Sequence, residues 1–346
     1  MTTGAAPPSR GPTLRDVASR AGVPLSAASL VLNGKPGVSA ERKDRVLRAV
    51  ADLGYVPQRR DPASAPPALV GLVMEALSPA AARDGFMTEV LAGVEAGLRA
   101  AGLAMLLHLH RGEDDPVAEL RRLVGRDVDA VIVANGGDVG EAVIDRVLAT
   151  GTPTVLLENY LDAPVHAVVA DNFAAGYRCT RALLERGHRR IAMLAGSTRY
   201  VGLTDRRRGH EAALTEAGIP VDPALVPPQP AGTERKGYDQ MRTLLALPDR
   251  PTAVYAVSDR TAIGAYAALA DAGLRVPDDV SVIGTDDIVE SALLSPPLST
   301  FVVPTFELGR AAARTVVALL GDEPPAPSRT ILLGRLELRG SVRDLR

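Results

Sequence analysis

Between Thr13 and Pro57 the chain reads TLRDVASRAGVPLSAASLVLNGKPGVSAERKDRVLRAVADLGYVP, and this stretch constrains the fold more than any other. Thr13 is placed to cap a first helix, with Asp16 three residues on completing a capping-box spacing. Val17, Ala18 and Ala21 recur on one face of that helix. Gly22 ends it, because a tight turn needs a residue that accepts a positive φ. After Val23 and Pro24, a second short helix is predicted from about Leu25 to Asn33. Ala18 is small where two helices must cross, and Ala28 and Val31 face inward. Two helices joined by a short Gly-containing turn form a DNA-reading architecture. The alternative is a three-helix interaction module that binds no DNA.

Charge is distributed to match the first reading. Residues 1–60 hold ten Lys/Arg and four Asp/Glu, a net of +6. The whole chain has 39 basic and 41 acidic residues, which leaves 29 against 37, a net of −8, for the rest. A basic head on an acidic body suits phosphate neutralisation. For any single residue of a helix such as 39–53, a solvated charged face is the competing explanation.

A length of 346 residues exceeds one ordinary domain, so a small head plus one or two larger domains is expected. The lone Cys179 cannot form an intramolecular disulfide, which points to a reducing compartment. It reads as a buried small hydrophobe. No apolar run approaches the ~18 residues of a membrane span, and no signal peptide precedes the head. A cytoplasmic protein with no membrane contact is the expectation.

The composition changes at residue 58. The segment 58–68, QRRDPASAPPA, is polar and proline-rich and reads as a linker. Three parts follow: a helix-turn-helix domain at 1–57, a hinge at 58–68 and a core at 69–346. Within the core, apolar runs near 69–74, 103–109, 128–134, 153–158, 190–195, 252–257 and 279–284 look like buried parallel strands. Amphipathic segments near 86–101, 116–125, 139–150, 172–187, 206–217, 235–246, 260–272 and 306–320 separate them. Alternating strands and helices imply α/β layers around a parallel sheet. Two successive units, roughly 69–160 and 165–290, suggest two doubly wound lobes with a cleft, in addition to a small all-α head.

These residues carry a resemblance. The chain resembles the LacI/GalR family of transcriptional regulators from about 13 to 343. The marks are AGVPLSAASLVLNGKPGVS (21–39), then Leu53-Gly54-Tyr55-Val56-Pro57, then Val169-Ala170-Asp171-Asn172 with Gly176. They continue through Gly187-His188-Arg189-Arg190-Ile191-Ala192, Arg206 with Gly209, and Ser258-Asp259 with Gly264. Gly284-Thr285-Asp286-Asp287, Pro296-Pro297-Leu298-Ser299-Thr300 and Arg339-Gly340-Ser341 complete the series. The resemblance implies a periplasmic-binding-protein-like effector core and homodimers on palindromic double-stranded DNA operators. It also implies a small molecule that modulates DNA affinity, with repression the expected sense.

In the head, the second helix is expected in the major groove, presenting Leu25, Ser26 and Ser29. Leu30 or Ala27 is suited to a thymine methyl, with helical-core packing as the alternative for Leu30. Asn33, Lys35, Ser39 and Arg42 suit phosphate or sugar contacts. Thr13 and Tyr55 join the candidate DNA-contacting set. The hinge departs from the family pattern, since Ser64 stands where a wedging leucine is typical. Insertion between base pairs is therefore expected to be reduced, while Arg59 and Arg60 remain able to reach phosphates or a narrow minor groove.

In the core, Glu75, Glu158 with Asn159, and Asp286 follow predicted strands, where ligands of such sheets bind. A buried carboxylate and an arginine each make paired hydrogen bonds to vicinal hydroxyls, which suits a sugar. By resemblance, Arg206 and Asp286 are the first effector contacts, with Glu158 next; a salt bridge across the cleft is the other reading of Arg206. Asp171 and Asn172 are expected to cap the following helix. Asp259 either caps a helix or lines the pocket. Tyr160, Tyr200 and Phe86 are the candidate aromatic platforms. The scarcity of aromatic residues keeps a purine or another polar metabolite open as the effector.

No P-loop, dinucleotide fingerprint or nucleophile elbow is present, so no cofactor and no catalysis are expected. His108 and His110 share a strand face, but no third metal ligand of suitable spacing follows. Two rival classes are a solute-binding protein of the same core fold and a sugar-modifying α/β enzyme. After a last strand-like segment at 331–339 no leucine heptad follows, so a dimer rather than a tetramer is expected.

Overall fold

The computed structural model describes residues 12–32, 38–55, 67–75, 85–110, 115–134, 139–228 and 235–346. The chain divides into two compact units, Met1–Pro66 and Pro67–Arg346. No helix of the described residues is long and apolar enough to cross a membrane.

The first unit holds α1 (Leu14–Ala21), α2 (Leu25–Leu32) and α3 (Ala40–Leu53). The capping box forms: Thr13 Oγ1 accepts from the Asp16 N–H, and the Thr13 N–H donates to Asp16 Oδ2 at 2.7 Å. Gly22 takes φ 61° and lets the Val23 N–H reach back to Ala18 O at 3.1 Å, closing the helix end. Val17, Ala18, Ala21, Ala28, Val31, Val46 and Ala49 form the core of the unit. The small residues let α1 sit close to both other helices.

The second unit contains two sheets. The first has the order β10-β5-β4-β3-β1-β2, from β1 (Leu69–Glu75), β2 (Ala104–His110), β3 (Ala130–Ala134), β4 (Thr154–Leu157), β5 (His166–Ala170) and β10 (Arg329–Leu332). All its pairings are parallel. The second has the order β11-β9-β8-β7-β6, from β6 (Ile191–Leu194), β7 (Ala253–Ala256), β8 (Ser281–Asp286), β9 (Ser299–Val302) and β11 (Arg335–Glu337). Only its edge pair, β9 with β11, is antiparallel.

The connecting helices are α4 (Gly85–Ala100), α5 (Pro116–Val124), α6 (Glu141–Ala149), α7 (Asn172–Glu185), α8 (Val201–Glu216), α9 (Lys236–Leu245), α10 (Asp259–Asp271), α11 (Val289–Leu293) and α12 (Thr305–Leu319). The eight helical segments expected in the core all form. Strands β5 and β9 and helix α11 were not anticipated; each is only four or five residues long, too short to carry a periodic signal.

Two expectations about chain order are corrected. The lobes are not successive: the chain crosses between the sheets after β5, after β9 and again after β10. Helix α12 follows a strand of the second sheet yet packs on α4 and on β3, β4 and β5 of the first. Its buried face of Leu308, Ala311, Ala312 and Val316 covers that sheet. Glycines allow the close approach, since a Cβ at Gly93 would strike the Phe306 carbonyl and one at Gly309 the Val90 carbonyl. The segment 331–339 is not one strand. It breaks at Gly334, where a Cβ would collide with the Phe301 ring and the Val302 carbonyl, and the two halves join different sheets.

Candidate functional site: the cleft between the sheets and the face of the head

Four buried polar side chains meet where strand ends of both sheets face each other. Glu158 follows β4, Asn172 opens α7, Arg206 lies on α8 and Asp286 ends β8. Arg206 Nη1 donates to Asp286 Oδ1 at 2.9 Å and to the Val257 carbonyl at 2.7 Å. Its Nε donates to Asn172 Oδ1 at 2.8 Å. The Asn172 amide in turn donates to Glu158 Oε2 at 3.3 Å, and Glu158 Oε1 accepts from the Ala170 N–H. The Arg206 side chain is 4% exposed and that of Asp286 10%, so this ion pair is shielded from water and its charge is strongly felt.

Backbone geometry serves the same place. Glu158 takes φ 55° and Asp286 φ 120°, conformations that side-chain-bearing residues adopt at a cost. Burial pushes the Glu158 carboxyl up against the opposing effects of the Ala170 N–H, Arg206 and Asn172. Burial also works against the Arg206 charge, but Asp286, Tyr255 and Glu158 outweigh it and its pKa is raised.

Two tyrosines join one sheet's side of the cleft to the other. The Tyr200 hydroxyl, just before α8, donates to Glu75 Oε2 at 3.0 Å. The Tyr160 hydroxyl, after β4, donates to Asp205 Oδ2 on α8 at 2.6 Å. The Arg329 guanidinium lies 3.7 Å from the centroid of the Tyr160 ring. Phe86 instead packs against the hydrophobic core from α4.

The structure therefore brings Glu158, Arg206 and Asp286 together, and places Glu75 at the same cleft through Tyr200. Asp259 is a correction. It is fully buried, and the cap of α10 is Ser258. Asp259 Oδ2 accepts from the N–H groups of Asp287 and Ile288 and from Ser291 Oγ, while Oδ1 accepts from Thr300 Oγ1. It braces the loop after β8. Asn172 is a second correction. Asp171 alone caps α7, accepting from the Ala174 N–H at 3.1 Å, and the Asn172 side chain turns into the cleft network. Asn172 was missed because Asp-Asn before an apolar helical run reads as capping chemistry. That Asp171 by itself satisfies the cap was the available signal.

On the head, Leu25, Ser26, Ala27, Ser29 and Leu30 all stand on α2, and Ala28 and Val31 of the same helix are buried. Ser39 precedes α3, and Arg42, Lys43, Arg45 and Arg48 are exposed along it. The Thr13 hydroxyl is engaged with Asp16. Tyr55 packs against the head core. Asn33, Lys35, Arg59, Arg60 and the hinge from 58 to 66 lie outside the described residues.

Elsewhere, Cys179 is buried with its thiol directed at the Gly284 carbonyl, and burial pushes its pKa up. Among the described residues no group of three or more His, Cys, Asp or Glu is arranged to hold a metal ion.

Comparison with known proteins agrees with this architecture. Residues 13–58 match the family described as bacterial regulatory proteins, lacI family, and residues 180–342 match a periplasmic binding protein-like domain. A ribose operon repressor from Haemophilus influenzae is 32% identical over 93% of this chain and 95% of its own length. The HTH-type transcriptional regulator CelR of Thermobifida fusca is 33% identical over 96% of this chain and 98% of its own length. The solved complex of the transcriptional regulator CelR with cellobiose superposes with a TM-score of 0.72 at 34% identity, covering 95% of this chain and 99% of that one. With a lacI-type head, a two-sheet binding core and near full-length relatives of the same organisation, the chain belongs to the LacI family and is a DNA-binding transcriptional regulator.

Proposed function

We propose that this regulator is a repressor whose operator affinity is set by a small carbohydrate held in the cleft between the sheets. The observation that carries this reading is the buried Arg206–Asp286 pair at the strand ends. Among the described residues Arg206 Nη2 makes no hydrogen bond, so a fixed guanidinium edge beside a fixed carboxylate is offered to a ligand. That combination suits vicinal hydroxyls, one donating to the carboxylate and its neighbour accepting from the guanidinium. Glu75 and Glu158 add acceptors, and Tyr160 and Tyr200 add apolar ring surface at the rim. The ribose operon repressor and the cellobiose complex among the relatives support the same ligand class. Asp259 acts on this site only through the loop that carries Asp286.

Residues 1–57 supply the operator contacts, 58–68 the hinge, and 69–346 the effector site and the homodimer interface. In the head, α2 reads base edges, and Arg42 with the other cations of α3 meets phosphates. The cleft binds rather than turns over its ligand, as its relatives are regulators. Titration calorimetry of the full-length protein with D-ribose, cellobiose and the purines guanine and hypoxanthine tests the effector class. Binding of a sugar that also shifts operator retardation in a gel supports the proposal. Binding of a purine with no response to sugars overturns it.

A further inference from the structure

We propose that Asn172 is a positioning residue which locks Arg206 to Glu158 and so ties the two sheets together at the base of the cleft. This rests on the reading of that cleft as the effector site, which it deepens. A guanidinium has donors and no acceptor. The Asn172 atom facing Arg206 Nε at 2.8 Å is therefore the oxygen, and its NH₂ is forced toward Glu158 Oε2 at 3.3 Å. Glu158 spends its other oxygen on the Ala170 N–H. Each oxygen of Glu158 thus meets a donor, and the amide dipole runs one way only, from Arg206 to Glu158.

The setting is built for that amide. Asn172 is 5% exposed and Glu158 8%. Gly202 leaves the room, because a Cβ there would lie 2.8 Å from Asn172 Nδ2. Ala170 ends β5 in the first sheet, while α7, which Asn172 opens, packs on β7, β8, β9 and β11 of the second. The amide therefore sits on a crossover connection. The bond to Glu158 reaches the first sheet and the bond to Arg206 reaches the second. Other charged or titratable groups face the network from several elements. They are Asp286 on β8, Tyr255 on β7, and Cys179 on α7, while Asp205 on α8 is held by Tyr160.

The donor–acceptor logic gives a test that requires no ligand. Asn172→Asp keeps the shape and the bond from Arg206 but turns an oxygen toward Glu158, so the two carboxylates must share a proton. The folded state then holds a raised carboxyl pKa, and stability is lost as pH rises through it. In calorimetric unfolding of the full-length protein, the gap between this variant and wild type should widen by at least about 2 °C between pH 5 and pH 8. The reciprocal double variant Glu158→Gln/Asn172→Asp restores one amide and one carboxylate. The introduced amide at position 158 accepts from the Ala170 N–H through its oxygen and donates through its NH₂ to the introduced carboxylate at position 172. That carboxylate still accepts from Arg206. The swap should return the midpoint and its pH dependence to near wild type. A double variant that is no more stable than Asn172→Asp alone, or that does not fold, overturns the proposal. So does a gap that stays constant with pH in a folded Asn172→Asp protein. Calorimetry with D-ribose and cellobiose provides the second arm. A sugar that binds wild type should bind Asn172→Asp at least about tenfold more weakly at pH 8 than at pH 5, with the swap restoring it. If neither sugar binds wild type, the carbohydrate reading is what fails, and the unfolding data still decide the role of Asn172.

Discussion

The Tyr200 hydroxyl and the Glu75 carboxylate, 125 positions apart, meet at 3.0 Å across the cleft. One belongs to the turn before α8 and the other ends β1, so their bond exists only while the two sheets face each other closely. Tyr200→Phe removes that bond and keeps the ring. A hydrogen bond to a charged group of this kind is worth about 1.5–3 kcal/mol, of which a partly solvated rim retains the lower part. Ligand affinity is expected to fall by about three- to tenfold, and the unfolding midpoint to fall with it. Calorimetric titration beside thermal unfolding checks both.

Asp259 should behave as a brace. Asp259→Ala strips the acceptor from the Asp287 and Ile288 N–H groups and from the hydroxyls of Ser291 and Thr300. Each buried donor left without an acceptor costs about 1–3 kcal/mol. The expected result is a large drop in the urea midpoint. An Asp259→Ala protein with wild-type stability and a lost ligand response would reverse that assignment.

The pH dependence of the core has a clear contributor in His210. Burial, with Arg207 adding to it, lowers its pKa from 6.5 to about 4. Its Nδ1 lies 2.8 Å from Thr180 Oγ1. The unfolded chain takes up this proton first as pH falls. The stability His210 contributes is therefore complete above pH 6.5 and is lost progressively toward pH 4. By pH 5 the loss amounts to about 2 kcal/mol. Comparing wild type with His210→Gln cancels the opposing effect of the burial-raised carboxyls of Glu158 and Asp259. The advantage of wild type over the variant should shrink from pH 7.5 to pH 5 by that amount in denaturant titrations.

On the head, Arg42→Ala removes an exposed cation from the first turn of α3. Operator affinity should fall by a similar factor for strong and weak operators, and the slope of log affinity against log salt should become shallower by about one. Fluorescence anisotropy across a salt series measures it. A change confined to one operator sequence would instead mark Arg42 as a base reader.

The head was legible because its signals are local. Thr13, Asp16 and Gly22 mark the ends of α1 by cap chemistry alone, and Asp286 stands at a strand end. What escaped depends on distant partners. Asp259 looks like any helix-start acid until Thr300 and Ser291 are seen around it, 41 and 32 positions away. Asn172 reads as a cap until Arg206 fixes its oxygen. The order of strands in the sheets was hidden for the same reason, since β5 and β10 are short and nothing beside them in sequence names the sheet they join.

The return of α12 and β10 to the first sheet has a consequence for how the protein is made. On the ribosome, residues 67 to 170 emerge ahead of the rest of the core, yet they lack both the helix that covers α4 and the strand that completes the sheet edge. Both come from beyond residue 304. The glycine-lined face of α4 at Gly93 and Gly97 and the open edge of β5 therefore stay uncovered while β6 to β9 of the second sheet are synthesised. Nascent chains that stall before Leu332 expose that surface to chaperones and to one another, so truncated forms of this regulator should be insoluble even when every residue of the effector cleft has been made.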